Sequence, residues 1–285
     1  MSGTIVITGV STGIGYATAE KLTKLGYHVF GSVRKHEDGD RVQAALGPCF
    51  TPLLFDVTDH DAIETAVSQV QAAIGKDNLT GLVNNAGISV LGPLMHIDLA
   101  EFRHQFDVNL FGLLDVTQQF LPLLGARKEA PDPRGRIVMI SSVSGKIAYP
   151  FFGAYTASKH ALEGLSDSLR RELIIYGIDV SVVEPGTTRT PIIGKASEHT
   201  AHYRDTDFGT VLDKIQKEMV TARQESAIPV ETVANRVIAA LLNKNPKSRY
   251  PVPRKKFTGW YLPRWLPDKL LDRLIAAQLG LFRVD

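Results

Sequence analysis

Short apolar runs alternate along the chain with longer stretches whose apolar positions recur every three or four residues. Ile5-Val6-Ile7 is the first run; it ends in glycines and gives way to a helical pattern through Tyr16, Ala19, Leu22 and Leu25, closed by Gly26. Further strands are predicted at 27–33, 52–55, 81–84, 136–140 and 179–183, with a last one at 249–252. Amphipathic helical patterns occupy 60–74, 98–121 and 154–176. Apolar strands separated by helices imply a parallel sheet covered on both faces. Right-handed crossovers make that a doubly wound α/β fold. The stretch 127–135 carries two prolines, a glycine and charges and is predicted to be an exposed loop. Residues 187–228 break the alternation, with many polar residues and a helical pattern at 211–223. Ligands of such sheets sit outside the carboxyl ends of the strands, so this insert is placed to cover a site. One domain is expected over 1–253, with a C-terminal extension, 254–285, packed on it.

Composition changes this picture little. The chain has 285 residues, 44% hydrophobic and 22% charged, as in an ordinary globular domain. A net charge of +2 gives no reason to expect a nucleic-acid partner. The charge is unevenly placed, however: residues 244–285 hold ten Lys/Arg against three Asp/Glu, and the remainder holds 22 against 27. The single cysteine, Cys49, excludes an intrachain disulfide and a Cys-rich metal site. The eight histidines are scattered, and no metal is expected. There is no signal-peptide pattern and no apolar run of the roughly 18 residues a membrane span needs, so a cytosolic location is expected.

Two stretches carry chemistry. Thr8-Gly9-Val10-Ser11-Thr12-Gly13-Ile14-Gly15 follows the first strand and opens a helix. Glycines at 9, 13 and 15 allow a tight turn and close approach of a pyrophosphate, and the helix directs free N–H groups and its positive end at that anion. The spacing is G-x-x-x-G-x-G, unlike the commoner G-x-G-x-x-G fingerprint. The second stretch is Tyr155-Thr156-Ala157-Ser158-Lys159. On a helix the phenol and the ammonium share a face. A neighbouring cation favours phenolate and is expected to bring the tyrosine down from about pH 10 toward its working range. That pair suits acid/base chemistry at an alcohol oxygen.

With Asp56-Val57, Asn84-Asn85-Ala86-Gly87, Asn109, Ser141-Ser142 and Pro185-Gly186 in order beside these two stretches, the chain resembles the short-chain dehydrogenase/reductase family over residues 4 to 190. The resemblance implies a single doubly wound Rossmann-type domain with strand order 3-2-1-4-5-6-7, helices on both faces and, here, a C-terminal helical extension. It implies Asn109, Ser142, Tyr155 and Lys159 as catalytic residues: Tyr155 as acid/base, Lys159 as its electrostatic partner and a ribose ligand, and Ser142 orienting the carbonyl. Asn109 marks a helix kink that holds a water in a proton relay. Only one of Ser141 and Ser142 can face the site, and the family spacing selects Ser142. The dinucleotide would contact Gly9, Ser11, Thr12, Gly13, Ile14, Gly15, Arg34, Asp56, Val57, Asn85, Ala86, Gly87, Asn109, Tyr155, Lys159, Pro185, Gly186 and Thr188. Asp56 is open between an adenine contact and a helix cap.

Strand two decides the cofactor. Val33 stands where NAD-dependent members carry Asp, and Arg34 follows, so NADP(H) is expected over NAD(H). Substrate lining is expected from Leu91, Phe151 and Phe152 beside Ser142 and Tyr155, although Phe151 and Phe152 are equally readable as core. The LGPL segment 91–94, the 155–173 helix sequence and the extended C-terminus are similar to hydroxysteroid- and retinol-dehydrogenase members, which implies a bulky lipophilic alcohol or ketone. The alternatives are a reductase of 3-oxoacyl thioesters or small ketones, and a non-catalytic NADP-binding sensor. A homo-oligomer, dimer or tetramer, follows from the resemblance. Arg254-Lys255-Lys256, the aromatics Trp260, Tyr261 and Trp265 and the run Leu270–Leu279 are expected to pack on the domain or a partner subunit; peripheral membrane contact is the alternative.

Overall fold

β1 (Thr4–Ile7), β2 (His28–Val33), β3 (Phe50–Leu54), β4 (Gly81–Asn84), β5 (Arg136–Ile140), β6 (Asp179–Pro185) and β7 (Arg249–Val252) form one parallel sheet. Its order is β3-β2-β1-β4-β5-β6-β7, as the resemblance implied. The structure is a computed structural model describing residues 3–190, 201–215, 217 and 227–281. Period-two alternation within each strand divides the core in two. Val6, Leu82, Ile137, Met139, Val180 and Val182 face one side. There they meet α3 (His60–Ile74), α5 (Leu113–Phe120) and α6 (Gly153–Glu172), which present Ile63, Val70, Phe120 and Leu162. Ile5, Ile7, Val83, Val138, Ile140 and Val183 face the other. They meet α1 (Gly13–Lys24), α2 (His36–Leu46) and α7 (Val230–Leu242) through Leu22, Val42, Val237 and Leu241. Each fully buried Leu, Ile or Phe contributes about 1.5–3 kcal/mol.

The predicted helix over 98–121 is interrupted. α4 (Leu99–Phe106) passes through a π-helical turn, Asp107–Gly112, before α5 begins. At Gly112 a Cβ would lie 2.3 Å from the Val57 carbonyl oxygen, so the loop after β3 presses directly on the widened turn. π-turns of this kind are rare and concentrate at functional sites. The predicted helix over 154–176 likewise tightens, after Glu172, into a 3-10 turn, Leu173–Tyr176, closed by Gly177 at φ 68°.

Of the insert 187–228, the described part holds a 3-10 turn, Ala201–Tyr203, and a helical stretch at 209–215. The rest of the helical pattern at 211–223 lies outside the described residues apart from 217. Tyr203, Leu212 and Ile215 form a small apolar cluster with Phe151, joined by Phe208, Val211, Leu279 and Leu281. After β7 the chain runs through a π-helical stretch, Phe257–Tyr261, and a single turn, Leu262–Trp265, into α8 (Asp268–Leu279). Among the described residues no helix is long and apolar enough to cross a membrane.

Candidate active site

Because every strand is parallel, the segments after β1, β2, β4, β5 and β6 open on one edge of the sheet. The chain reverses direction of winding between β1 and β4, the crevice where such sheets bind ligands. There the glycine turn is stitched in place. Asn85 donates through Nδ2 to the carbonyls of Thr8 (2.8 Å) and Gly9 (2.9 Å). The Thr8 hydroxyl accepts from the backbone N–H of Asn85 and Ala86, both at 2.9 Å. Ser32, at the end of β2, accepts from Gly9 N at 2.9 Å. Gly9 has φ 71°, and a Cβ on Gly15 would stand 2.3 Å from the Gly9 carbonyl oxygen. Only glycine fits that turn.

The start of α1 tests whether an anionic dinucleotide fits. Thr12 occupies the N-cap in an extended conformation but makes no side-chain cap, and the first turn carries no acidic residue. The N–H groups and positive helix end are therefore left for an external acceptor. Arg34, just past β2, is largely exposed, with its guanidinium 3.7 Å from Asp56. Val33 is buried. Asp56 is not a helix cap: it accepts from Thr58 N and Oγ1, while Asp59 caps α3 through Ala62 N. The turn, the uncapped helix and Arg34 fit a dinucleotide.

On the other side of the crevice lie the catalytic candidates. Tyr155 and Lys159 are on the first turns of α6, and Ser142 follows β5. Lys159 is buried; its Nζ donates to the Ile140 carbonyl at 2.8 Å and sits 5.7 Å from the centre of the Tyr155 ring. The Ser142 hydroxyl accepts from Ser144 N at 3.1 Å and hydrogen-bonds the Tyr155 phenol, whereas the buried Ser141 hydroxyl has no hydrogen-bond partner.

The electrostatics correct one expectation. Lys159 was expected to draw the Tyr155 phenol downward. Instead burial pushes the phenol above its ordinary range, with the Ser142 hydrogen bond working the other way. Burial also pushes the Lys159 ammonium down, to about 8, against the pull of Glu163. Burial strips hydration from the charged form of each group, and that loss outweighs the Ser142 hydrogen bond at the phenol and the Glu163 carboxylate at the ammonium.

Asn109 lies in the π-turn and is fully buried. It accepts from Ile88 N at 2.9 Å and donates to the Ile88 carbonyl (3.0 Å) and to Ser158 Oγ (3.2 Å). Gln105, one turn earlier, grips the same loop through Val90 N and the Ile88 carbonyl. A Cβ on Gly87 would come 3.2 Å from Asn109 Oδ1 and 3.9 Å from Lys159 Nζ. The Asn84–Gly87 segment is thus pressed between the glycine turn and Lys159. Thr188 pairs with Ile228 and donates to the Gly186 carbonyl, holding Pro185-Gly186 at the end of β6.

The substrate candidates divide. Leu91 and Phe151 are buried, and Phe152 is half-buried at the N-cap of α6. Phe151 has φ 68°, a costly conformation for an aromatic residue. It meets Phe208 edge-on at 5.6 Å and joins the cluster under 201–215. Phe151 is a packed support of the cover.

Sequence reading missed the charges behind the site. Glu163, four residues beyond Lys159, is buried and ion-paired to Lys146 (3.1 Å) and Arg249 (3.0 Å). Arg249 also binds Asp167 at 2.9 Å and approaches the buried Glu184 at 3.7 Å. The i, i+4 spacing of Tyr155, Lys159, Glu163 and Asp167 was the available signal. Thr8, Ser32, Gln105 and Ser158 were missed as well; single polar residues at strand ends or within helices carry no distinctive pattern.

Such a site, with an anion cradle facing a half-buried phenol and a buried amine, is that of an oxidoreductase. The short chain dehydrogenase family model matches residues 3–201, and the chain belongs to that family. It is 42% identical over 274 residues to an NADPH-dependent 3-dehydrocapnine reductase of Ornithobacterium rhinotracheale, covering 96% of each chain. It is 32% identical to retinol dehydrogenase 16 of Mus musculus, over 95% of this chain and 87% of that one. A short-chain dehydrogenase from Streptomyces avermitilis has the same fold, with a TM-score of 0.74 at 29% identity, over 99% of this chain and 95% of that one.

Proposed function

We propose that the protein is an NADP(H)-dependent reductase of a bulky lipophilic ketone, or of the corresponding aldehyde, catalysing the reverse oxidation as conditions demand. The observation that carries this reading is the half-buried Tyr155 phenol, held by Ser142 and backed by Lys159, across the crevice from an uncapped helix and Arg34. The cofactor, when bound, supplies the hydride. Gly9, Ser11, Thr12, Gly13, Ile14 and Gly15 would hold its pyrophosphate and Arg34 its 2′-phosphate. Asp56 and Val57 would border the adenine, and Asn85–Gly87, Pro185, Gly186 and Thr188 the nicotinamide end.

Ser142 orients the substrate oxygen and stabilises negative charge as it develops. Tyr155 donates its proton to that oxygen. A phenol kept neutral by burial is a competent acid across the neutral range, which favours the reductive direction. Lys159 reprotonates and orients it, and Asn109 keeps the 85–90 loop in register with both. The relative named as an NADPH-dependent reductase supports cofactor and direction. The retinol dehydrogenase relative and the apolar cluster beneath 201–215 support a lipophilic substrate. Pairing of two copies through α4–α5 and α6 is the oligomer this reading includes.

The test follows cofactor absorbance with a panel of ketones and aldehydes, using NADPH and NADH, beside Tyr155→Phe. Turnover of steroid- or retinoid-sized carbonyls with NADPH, reduced about 10²–10⁴-fold in the variant, is expected. Turnover confined to short acyl thioesters or small ketones would transfer the protein to that class. NADPH binding without turnover anywhere in the panel would make it a sensor.

A further inference from the structure

Most of the chain's apolar surface is buried in one of the two cores, but the C-terminal extension leaves a substantial amount outside. α8 carries two apolar stripes. Leu271, Ile275 and Leu279, spaced by four, are half-buried and turned toward the body of the protein. Leu270 and Leu274 are 45% and 52% exposed, and the fold makes no use of them. At 100° per residue, Lys269 and Arg273 stand beside this outer pair, with Asp268 and Asp272 on the far side of the helix. The preceding segment repeats the design. Trp260 is buried, with the Arg264 guanidinium over its ring at 4.8 Å. Anchored by Trp260, the segment turns Phe257, Tyr261 and Trp265 outward, at 60%, 42% and 71% exposure.

Six cations, Arg254, Lys255, Lys256, Arg264, Lys269 and Arg273, are exposed along the same 28 residues, 254–281, which contain only two carboxylates. Among the described residues none of the six is ion-paired to a carboxylate. Outward aromatics and leucines flanked by exposed cations are complementary to a surface that is negative at its headgroups and apolar beneath them.

We propose that residues 254–281 dock the enzyme on an anionic lipid bilayer, with Phe257, Trp265, Leu270 and Leu274 entering the headgroup boundary and the cations binding lipid phosphates. The face is coupled to the substrate end of the site. Leu279 and Leu281 pack against the cluster of Phe151, Tyr203, Leu212 and Ile215, and Lys214 Nζ donates to the Gln278 carbonyl at 2.7 Å. Docking would therefore hold the covering segment 201–215 near a reservoir of apolar substrate. That benefit rests on the lipophilic-substrate reading, but the binding itself does not.

The chain has two tryptophans, Trp260 buried and Trp265 exposed, so fluorescence reports the contact directly. Vesicles of phosphatidylcholine with phosphatidylglycerol should float the full-length protein and blue-shift its emission; phosphatidylcholine alone should do neither. High salt should weaken the binding. Trp265→Phe should keep binding and lose the blue shift. Phe257→Ser with Leu274→Ser, and separately Lys255→Glu with Lys269→Glu, should each weaken binding about tenfold or more. Turnover of a water-soluble ketone should be unchanged in both double variants, which separates this result from failure of the proposed reaction. The proposal is overturned if the protein ignores both vesicle types, binds them equally, or binds undiminished in both double variants. It is also overturned if the exposed face instead supports a concentration-dependent dimer that Phe257→Ser with Leu274→Ser abolishes, which would assign the face to a second copy of the chain.

Discussion

Glu184 stands on β6 immediately before Pro185, with no exposed surface and neither carboxylate oxygen hydrogen-bonded. Its nearest cation, Arg249, is 3.7 Å away and is shared with Glu163 and Asp167. Burial and the repulsion of Glu163 push its pKa from 4.5 to about 7. The folded value exceeds the unfolded one, so the native state holds the proton more tightly. As pH rises above the unfolded value, the unfolded chain releases its proton first and is favoured. Stability is therefore lost between about pH 4.5 and 7, and the loss is complete above that window. At ~1.4 kcal/mol for each tenfold of proton affinity, the displacement corresponds to about 3 kcal/mol. Glu184→Gln keeps the shape and removes the charge, while Arg249 retains Glu163 and Asp167. The variant should match the wild type near pH 4.5 and exceed it by up to about 3 kcal/mol at pH 8. Urea denaturation of both proteins at steps across this range measures the difference, and subtraction cancels every other titrating group. A variant less stable than wild type at pH 8, or parallel curves, would show that Glu184 is ionised and well paired, and the reasoning would fail.

Arg249→Met leaves Glu163 and Glu184 buried without their main partner and should cost about 3–5 kcal/mol at pH 8, and less at pH 5, in the same denaturation assay. Arg34→Asp should weaken NADP binding by tenfold or more in titration calorimetry while NAD binding changes much less; equal losses would remove Arg34 from the cofactor site. Gly15→Ala sets a methyl group 2.3 Å from the Gly9 carbonyl oxygen and should abolish tight dinucleotide binding, read by quenching or calorimetry, while circular dichroism still reports the fold.

Much of the frame could be read directly from the chain. The runs at 81–84, 136–140 and 249–252 are β4, β5 and β7 residue for residue, because each is too short for a helix and is bounded by turn residues. The glycine turn and the pairing of Tyr155 with Lys159 were legible because each is local: one turn, one helix face. What escaped depends on several elements meeting. The π-turn at Asp107–Gly112 arises where Ile88 and Val57 press on the helix from distant loops. Glu163 reads as a solvated helix residue until β6, β7 and Lys146 close over it. The direction of the Tyr155 shift depended on the degree of burial, which no five-residue motif encodes. The positive φ of Phe151, which packs edge-on against Phe208, has no glycine or asparagine to announce it.

The hydrogen bond from Lys214 to Gln278, with Leu279 seated on the cluster of Tyr203, Leu212 and Ile215, has an evolutionary consequence. The cover and the tail are far apart in the chain, separated by α7 and β7, which belong to the sheet. Yet they are one piece of surface, joined by the Lys214–Gln278 hydrogen bond and the apolar cluster. Divergence in what the enzyme accepts can accumulate there while the nucleotide half stays fixed. A chimera that borrows one relative's cover without its tail would break their shared contact, so the two should behave as a single heritable cassette, exchanged together or not at all.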